Sequence, residues 1–197
     1  MVSKKYKTQK DSKTGLLRII ALKDFSDVKK GDKGGLIEKE ENLSQEGNCW
    51  VYCNAQVFRS AQVYGEASVS GNAKVFGSAQ VYGEASVSGN AQVCGEAQVY
   101  YKAQVYDNAQ VCGEAQVYGE ASISGDAQVY YKAQVFGSAQ VYDNAQVCGE
   151  ASISGNAEIN GAVKIIDIPI SSKYVDLAKV DKYCKDMRSV RKLYGKP

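Results

Sequence analysis

No histidine occurs among the 197 residues, and proline occurs only twice. The first absence removes imidazole acid/base catalysis, Ser/His and Cys/His nucleophile pairs, and zinc or iron sites built on histidine. No apolar run approaches the roughly 18 residues that would cross a bilayer. The stretch from Met1 to Lys13 is polar and lysine-rich with no apolar core, so it does not read as a signal peptide. A soluble, cytoplasmic chain without membrane contact is the expectation. Excess charge is scarce too: 24 basic and 22 acidic side chains leave +2, too even for a histone-like binder or a disordered tail.

Cysteine is present, as Cys49, Cys53, Cys94, Cys112, Cys148 and Cys184. Without a secretion signal these are expected to be free thiols rather than three disulfides. Cys49-x3-Cys53 lacks the second ligand pair of a zinc site, so no metal is expected. There is no phosphate-binding glycine loop and no calcium-binding nonapeptide array, so no cofactor is expected either.

What the chain does have is a repeat. From Val51 to Ile165 a Val or Ile recurs every six residues at 20 consecutive positions, and an alanine stands two residues before it from Ala55 to Ala157. The unit is A-x-V-x-G-x, as in Ala79-Gln80-Val81-Tyr82-Gly83-Glu84. A period of six keeps no single face of a 3.6-residue helix. On extended chain, Ala and Val two apart share a face, and the residues between and after them share the other. Gly-Glu, Gly-Asn, Gly-Ser and Asp-Asn then supply corner chemistry. Short strands alternating with corners, stacked into a coil, make a parallel β-helix.

Three hexads, 18 residues, complete one coil. Sampled at that spacing, one corner reads Asn54, Asn72, Asn90, Asn108, Asp126, Asn144. One outward side reads Tyr64, Tyr82, Tyr100, Tyr118, Phe136 beside Gln62, Gln80, Gln98, Gln116, Gln134. A second carries Phe58, Phe76, Cys94, Cys112, Tyr130, Cys148, and a third carries Ser70, Ser88, Tyr106, Ser124, Tyr142. Three chemically distinct sides point to a triangular prism. Cys94 and Cys112 then fall on adjacent coils, where a disulfide is conceivable and reduced thiols are the expectation.

These hexads resemble those of the left-handed parallel β-helix, the hexapeptide-repeat fold, with an aliphatic residue and a small residue four positions on, as Val81 and Ala85. The left hand comes from that resemblance alone. The approach through Gly31 to Ile37, Glu41 to Ser44 and Gly47 to Val51 resembles the lead-in of small phage and prophage repeat proteins, some of which carry a putative-transferase label by fold.

The fold class expected is all-β: residues 1–36 as an N-terminal β-hairpin cap, 37–168 as the β-helix, and 169–197 as a C-terminal amphipathic helix. The hairpin joins Tyr6–Gln9 to Leu16–Leu22 across Lys10–Gly15. The helix would run from about Lys173 to Tyr194, with Leu177, Val180 and Met187 on an apolar stripe suited to oligomerisation. Charge is uneven: residues 1–54 carry +3, residues 55–160 carry −6 and residues 161–197 carry +5.

A core of Val, Ile and Ala leaves no interior room for a ligand, so function is expected on the outside. The reading is a non-enzymatic, rigid protein that binds a protein partner or assembles with itself, a trimer favoured. Its binding surface is the side formed by Tyr64, Tyr82, Tyr100, Tyr118 and Phe136 with Gln62, Gln80, Gln98, Gln116 and Gln134. A phage-encoded inhibitor of a host defence protein is one form of it. No catalytic residue is assigned. The alternative is an acyltransferase-like enzyme using acyl-CoA at a subunit interface, although the fold's acyltransferases rely on a histidine. Nucleic acid is not the expected partner; it would be approached only through Lys179, Lys182, Lys185, Arg188, Arg191 and Lys192.

Overall fold

The computed structural model describes residues 4–171. All 20 periodic Val and Ile side chains and all 18 periodic alanines are buried, forming one continuous core. Around them runs a parallel β-solenoid with one short strand per hexad, from Trp50–Val51 to Pro169–Ile170. Most strands are only two residues long, such as Gln80–Val81, because the chain must turn on either side of them. The flanking Ala and aromatic positions are already bending into the corners.

The strands sort into three sheets, one of ten strands and two of seven. Pairing advances 18 residues at a time, Gln80 to Gln98 to Gln116 on one side and Ser68 to Ser86 to Gln104 on another. Outward residues donate their N–H groups to the next coil, as from Gln80 to Ala97 O at 2.9 Å and from Tyr82 to Val99 O at 3.0 Å. The 18-residue coil and its three sides are therefore as the repeat implies.

The corners are uniform. At every sixth position from Gly47 to Asp167 the backbone has a positive φ. Glycine, which lacks the Cβ that makes this region costly, holds most of these positions. Seven are not glycine: Cys53, Arg59, Tyr101, Asp107, Tyr131, Asp143 and Asp167. No two of them are vertical neighbours, and wherever the coil above has a corner in this series it is glycine. A Cβ on a corner glycine would crowd the backbone of the coil above whatever residue stands there, within 2.9 Å of Tyr101 N from Gly83 and within 2.8 Å of Gly95 N from Gly77. A corner side chain leans over the next coil, as Asp107 does in accepting from Gly125 N–H at 3.1 Å.

At the N-terminal end β1 (Tyr6–Lys10) and β2 (Leu17–Ala21) form an antiparallel hairpin. The strand β3 (Lys33–Ile37) then pairs antiparallel with β2 and parallel with Gln56–Val57. The hairpin thus continues the largest sheet. It closes the open end with Tyr6, Phe25 and Trp50, whose rings meet edge to face at 6.0 and 5.3 Å. Lys5 is buried there, its Nζ donating to Cys49 O at 2.9 Å and to the carbonyls of Glu46 and Gly47. The C-terminal helix expected over 173–194 lies outside the described residues.

One expectation is corrected. Cys94 and Cys112 are joined by a disulfide rather than reduced. Vertical pairing brings their Cα atoms to 4.6 Å, within the reach of such a bond. Cys49, Cys53 and Cys148 are free thiols.

Candidate binding face

The sheet built on Gln62–Val63, Gln80–Val81, Gln98–Val99, Gln116–Val117 and Gln134–Val135 turns its valines inward and its glutamines outward. Beside the glutamines, Tyr64, Tyr82, Tyr100, Tyr118 and Phe136 stack in one column at 4.8–4.9 Å between ring centroids, adjacent rings within 10° of parallel. All ten side chains singled out in the sequence therefore share one face. Leu177, Val180 and Met187 fall outside the described residues.

The stack decides what the face offers. Each ring covers its neighbour's flat surface, so the outside meets ring edges and hydroxyls rather than open aromatic platforms. Tyr64 Oη donates to Gln80 Oε1 at 3.1 Å, and Tyr82 Oη to Gln98 Oε1 at 3.4 Å, tying the columns together. Desolvation in the column raises the phenols of Tyr64 and Tyr82. Tyr100, with Tyr82 and Tyr118 on either side as well, is pushed up to about 12. Every residue of both columns from Gln62 to Phe136 is uncharged at neutral pH.

Charge gathers at the two edges. Along the corner that follows this face, the 18-residue sampling reads Gly65-Glu66, Gly83-Glu84, Tyr101-Lys102, Gly119-Glu120. Along the corner that precedes it, it reads Gly95-Glu96, Gly113-Glu114, Tyr131-Lys132, Gly149-Glu150. The same four-step order thus stands on both rims. On the first rim these eight residues line a shallow open groove. Tyr101 and Tyr131, both in the left-handed backbone region, are 64 % and 65 % exposed and are the exposed large hydrophobics among the described residues. Neither stands out as a site residue from the hexad alone. Their signal is in the sequence nonetheless: these two corners, sampled every 18 residues like the asparagine corner, display it.

The other two sides are less uniform. The cysteine side carries Lys74 and the Cys94–Cys112 disulfide. The serine side carries Ser68 hydrogen-bonded to Ser86 at 3.3 Å, interrupted by Gln104. The third corner is an amide ladder, Asn72 donating to Asn90, Asn90 to Asn108 and Asn108 to Asp126 at 3.0–3.3 Å. No group of three or more potential metal ligands occurs among the described residues. No helix among them is long and apolar enough to cross a membrane.

Comparison with known proteins agrees with the coil. The family model described as YdcK Beta solenoid repeat matches residues 79–95, which include the strand Gln80–Val81. A protein of Escherichia coli (strain K12) named "Uncharacterized acetyltransferase YdcK" is 46 % identical over 68 residues, 34 % of this chain and 21 % of that protein. The matched part thus spans about a fifth of that relative's length. Hexads, 18-residue register and both matches agree on the fold: the described residues form a parallel β-solenoid of six-residue repeats.

Proposed function

We propose that this protein is a non-enzymatic rigid scaffold that binds a protein, a partner or a further copy of itself, through its aromatic face. The observation that carries the reading is the uncharged column of five stacked rings beside five glutamines, held in register over five coils. The core behind it is packed with Val, Ile and Ala, so a ligand meets the outside of the coil. An ordered array of ring edges and amides is preorganised, so a partner loses little of its binding energy to ordering this side. A phage-encoded inhibitor that covers a host defence protein is the form suggested by the resemblance to phage repeat proteins.

Replacing Tyr82 and Tyr118 by lysine puts two charges into the middle of the face without touching the core. Sedimentation velocity and affinity capture with this doubly substituted chain should show loss of the assembly or partner that the wild-type chain holds. The reading is overturned if the wild-type chain stays monomeric and the two chains capture the same proteins in equal amounts.

Acyl transfer from acyl-CoA is the second reading, and the name of the Escherichia coli relative favours it. It has to operate without histidine, because the sequence contains none. Acetyl-CoA raising the melting temperature of the purified chain would support it, and an unchanged melting curve would count against it.

A further inference from the structure

We infer that the corners carrying Tyr101 and Tyr131 are a matched pair of docking sites, each taking an arginine side chain of a partner protein onto an open tyrosine ring between glutamates. The inference goes beyond the reading of the aromatic face, because each corner is shared with a neighbouring side and neither ring belongs to the stacked column.

The rings are the first observation. In the column of Tyr64, Tyr82, Tyr100, Tyr118 and Phe136 each ring lies on the next at 4.8–4.9 Å. Tyr101 instead leans on Tyr100 with its plane tilted by 43°, and Tyr131 leans on Tyr130 at 51°. The corners below and above Tyr101 are Gly83 and Gly119, and those below and above Tyr131 are Gly113 and Gly149, so no second ring is stacked over either. These two tyrosines are therefore the open aromatic platforms that the column does not provide, and they are the exposed large hydrophobics among the described residues.

Charge is the second. Glu66, Glu84, Lys102 and Glu120 follow one another up the first corner, and Glu96, Glu114, Lys132 and Glu150 up the second, a net −2 in each case. On the first corner they border a groove that also exposes Gly65, Gly83 and Gly119 beside the Tyr101 ring. Among the described residues no lysine or arginine pairs with Glu84, Glu120, Glu114 or Glu150. A cation from outside has no internal competitor there.

Ring and charge together select the occupant. A guanidinium stacks its plane on a tyrosine face while its N–H fork reaches a carboxylate one coil, roughly 4.8 Å, above or below. A lysine ammonium is a point charge without a plane to stack, and a neutral or acidic group has nothing to set against the glutamates. The third corner separates this from plain attraction to an acidic surface. It carries Asp107, Asp126 and Asp143, of which Asp107 and Asp143 already accept from the N–H groups of Gly125 and Gly161, and it has no exposed ring.

The test is a titration of the isotope-labelled full chain with acetylated hexa-arginine at low ionic strength, followed by the backbone amide signals in NMR. The expected result is saturable shifts at Lys102 and Lys132, with hexalysine binding about three- to fivefold more weakly. Tyr101→Gly should weaken binding at Lys102 by about the same factor and leave Lys132 unchanged, and Tyr131→Gly should do the reverse. Both substitutions restore the glycine found at neighbouring corners, so the coil is retained. Shifts at Asn108 and Asp126 as large as at Lys102 and Lys132 would overturn the inference. So would hexalysine binding as tightly as hexa-arginine, or titration curves that neither substitution moves. The titration contains no partner protein and neither variant alters the column, so its outcome is separate from that of capture at Tyr82.

Discussion

Cys94 and Cys112 hold the same place on successive coils and are joined side to side by a disulfide, 18 residues apart. The bond closes a short loop, and constraining a loop of that size in the unfolded chain is worth about 3 kcal/mol. Denaturant unfolding with and without reductant should show that difference. Cys94→Ser/Cys112→Ser should match the reduced wild type and no longer respond to reductant. A midpoint indifferent to reductant would mean that the coil stack alone sets stability.

The corner glycines make a prediction with an internal control. Gly83→Ala places a Cβ within 2.9 Å of Tyr101 N at a φ of +69°, whereas Gly161→Ala, at +70°, meets nothing within 4 Å among the described residues. Both incur the left-handed penalty of about 1–2 kcal/mol, and among the described residues only the first must also push backbone aside. Gly83→Ala should therefore be the more destabilising in a urea titration. Tyr101→Gly should stabilise by about 1 kcal/mol, since it removes the same penalty at an exposed site. Equal effects at Gly83 and Gly161 would contradict the stacking account.

Much of this was legible from the chain. The valine spacing from Val51 to Ile165 specifies the hexad, and the ladders at Tyr64, Tyr82 and Tyr100 specify the 18-residue coil, because a core of one side-chain type repeats only if the backbone does. Asp107 and Asp143 are recognisable as corner residues, since Asp tolerates the left-handed region by bonding locally. Cys53 and Arg59 carry no such mark and become corners only through the coil that surrounds them. Lys5 lies in a polar, lysine-rich stretch that reads as solvent-exposed. Closure of the hairpin over the first coil buries it, and that depends on contacts more than forty residues distant in sequence. The adjacency of Cys94 and Cys112 was readable, but their bond was not, because redox state is not encoded in spacing.

The cap makes its own prediction. Lys5 donates to three backbone carbonyls and sits 5.3 Å from the Phe25 ring, and burial holds its amine below the ordinary value of 10.5. Lys5→Met leaves those carbonyls without their donor and should cost about 1.5–3 kcal/mol. Tyr6→Phe removes the hydroxyl that donates to Leu43 O at 2.7 Å and should cost about 1 kcal/mol. Thermal unfolding of both variants checks the order. A Lys5→Met variant as stable as wild type would show that the apolar rings alone hold the cap.

Alkaline pH should loosen the aromatic column. The phenols of Tyr64, Tyr82 and Tyr100 keep their protons to higher pH in the folded chain than in the unfolded one, Tyr100 up to about 12 against an ordinary 10.0. Folding therefore favours the protonated form. That contribution is complete below pH 10 and is lost as pH rises from 10 toward 12. Denaturant midpoints across this range should fall, with phenolate absorbance appearing late in the folded chain and at the ordinary value once it is unfolded. Tyr100→Phe should flatten part of the fall. A midpoint constant through this window would contradict the stacked, desolvated column.

The central claim, that binding runs through the aromatic face, is tested most directly by photo-cross-linking from each side of the prism in turn. A photoreactive phenylalanine analogue replaces Tyr82 on the aromatic face, Phe76 on the cysteine side, or Tyr106 on the serine side. The account predicts capture of a protein, a partner or a second copy, from position 82 and background from positions 76 and 106. Capture from position 76 or 106 that equals or exceeds capture from position 82 would contradict it.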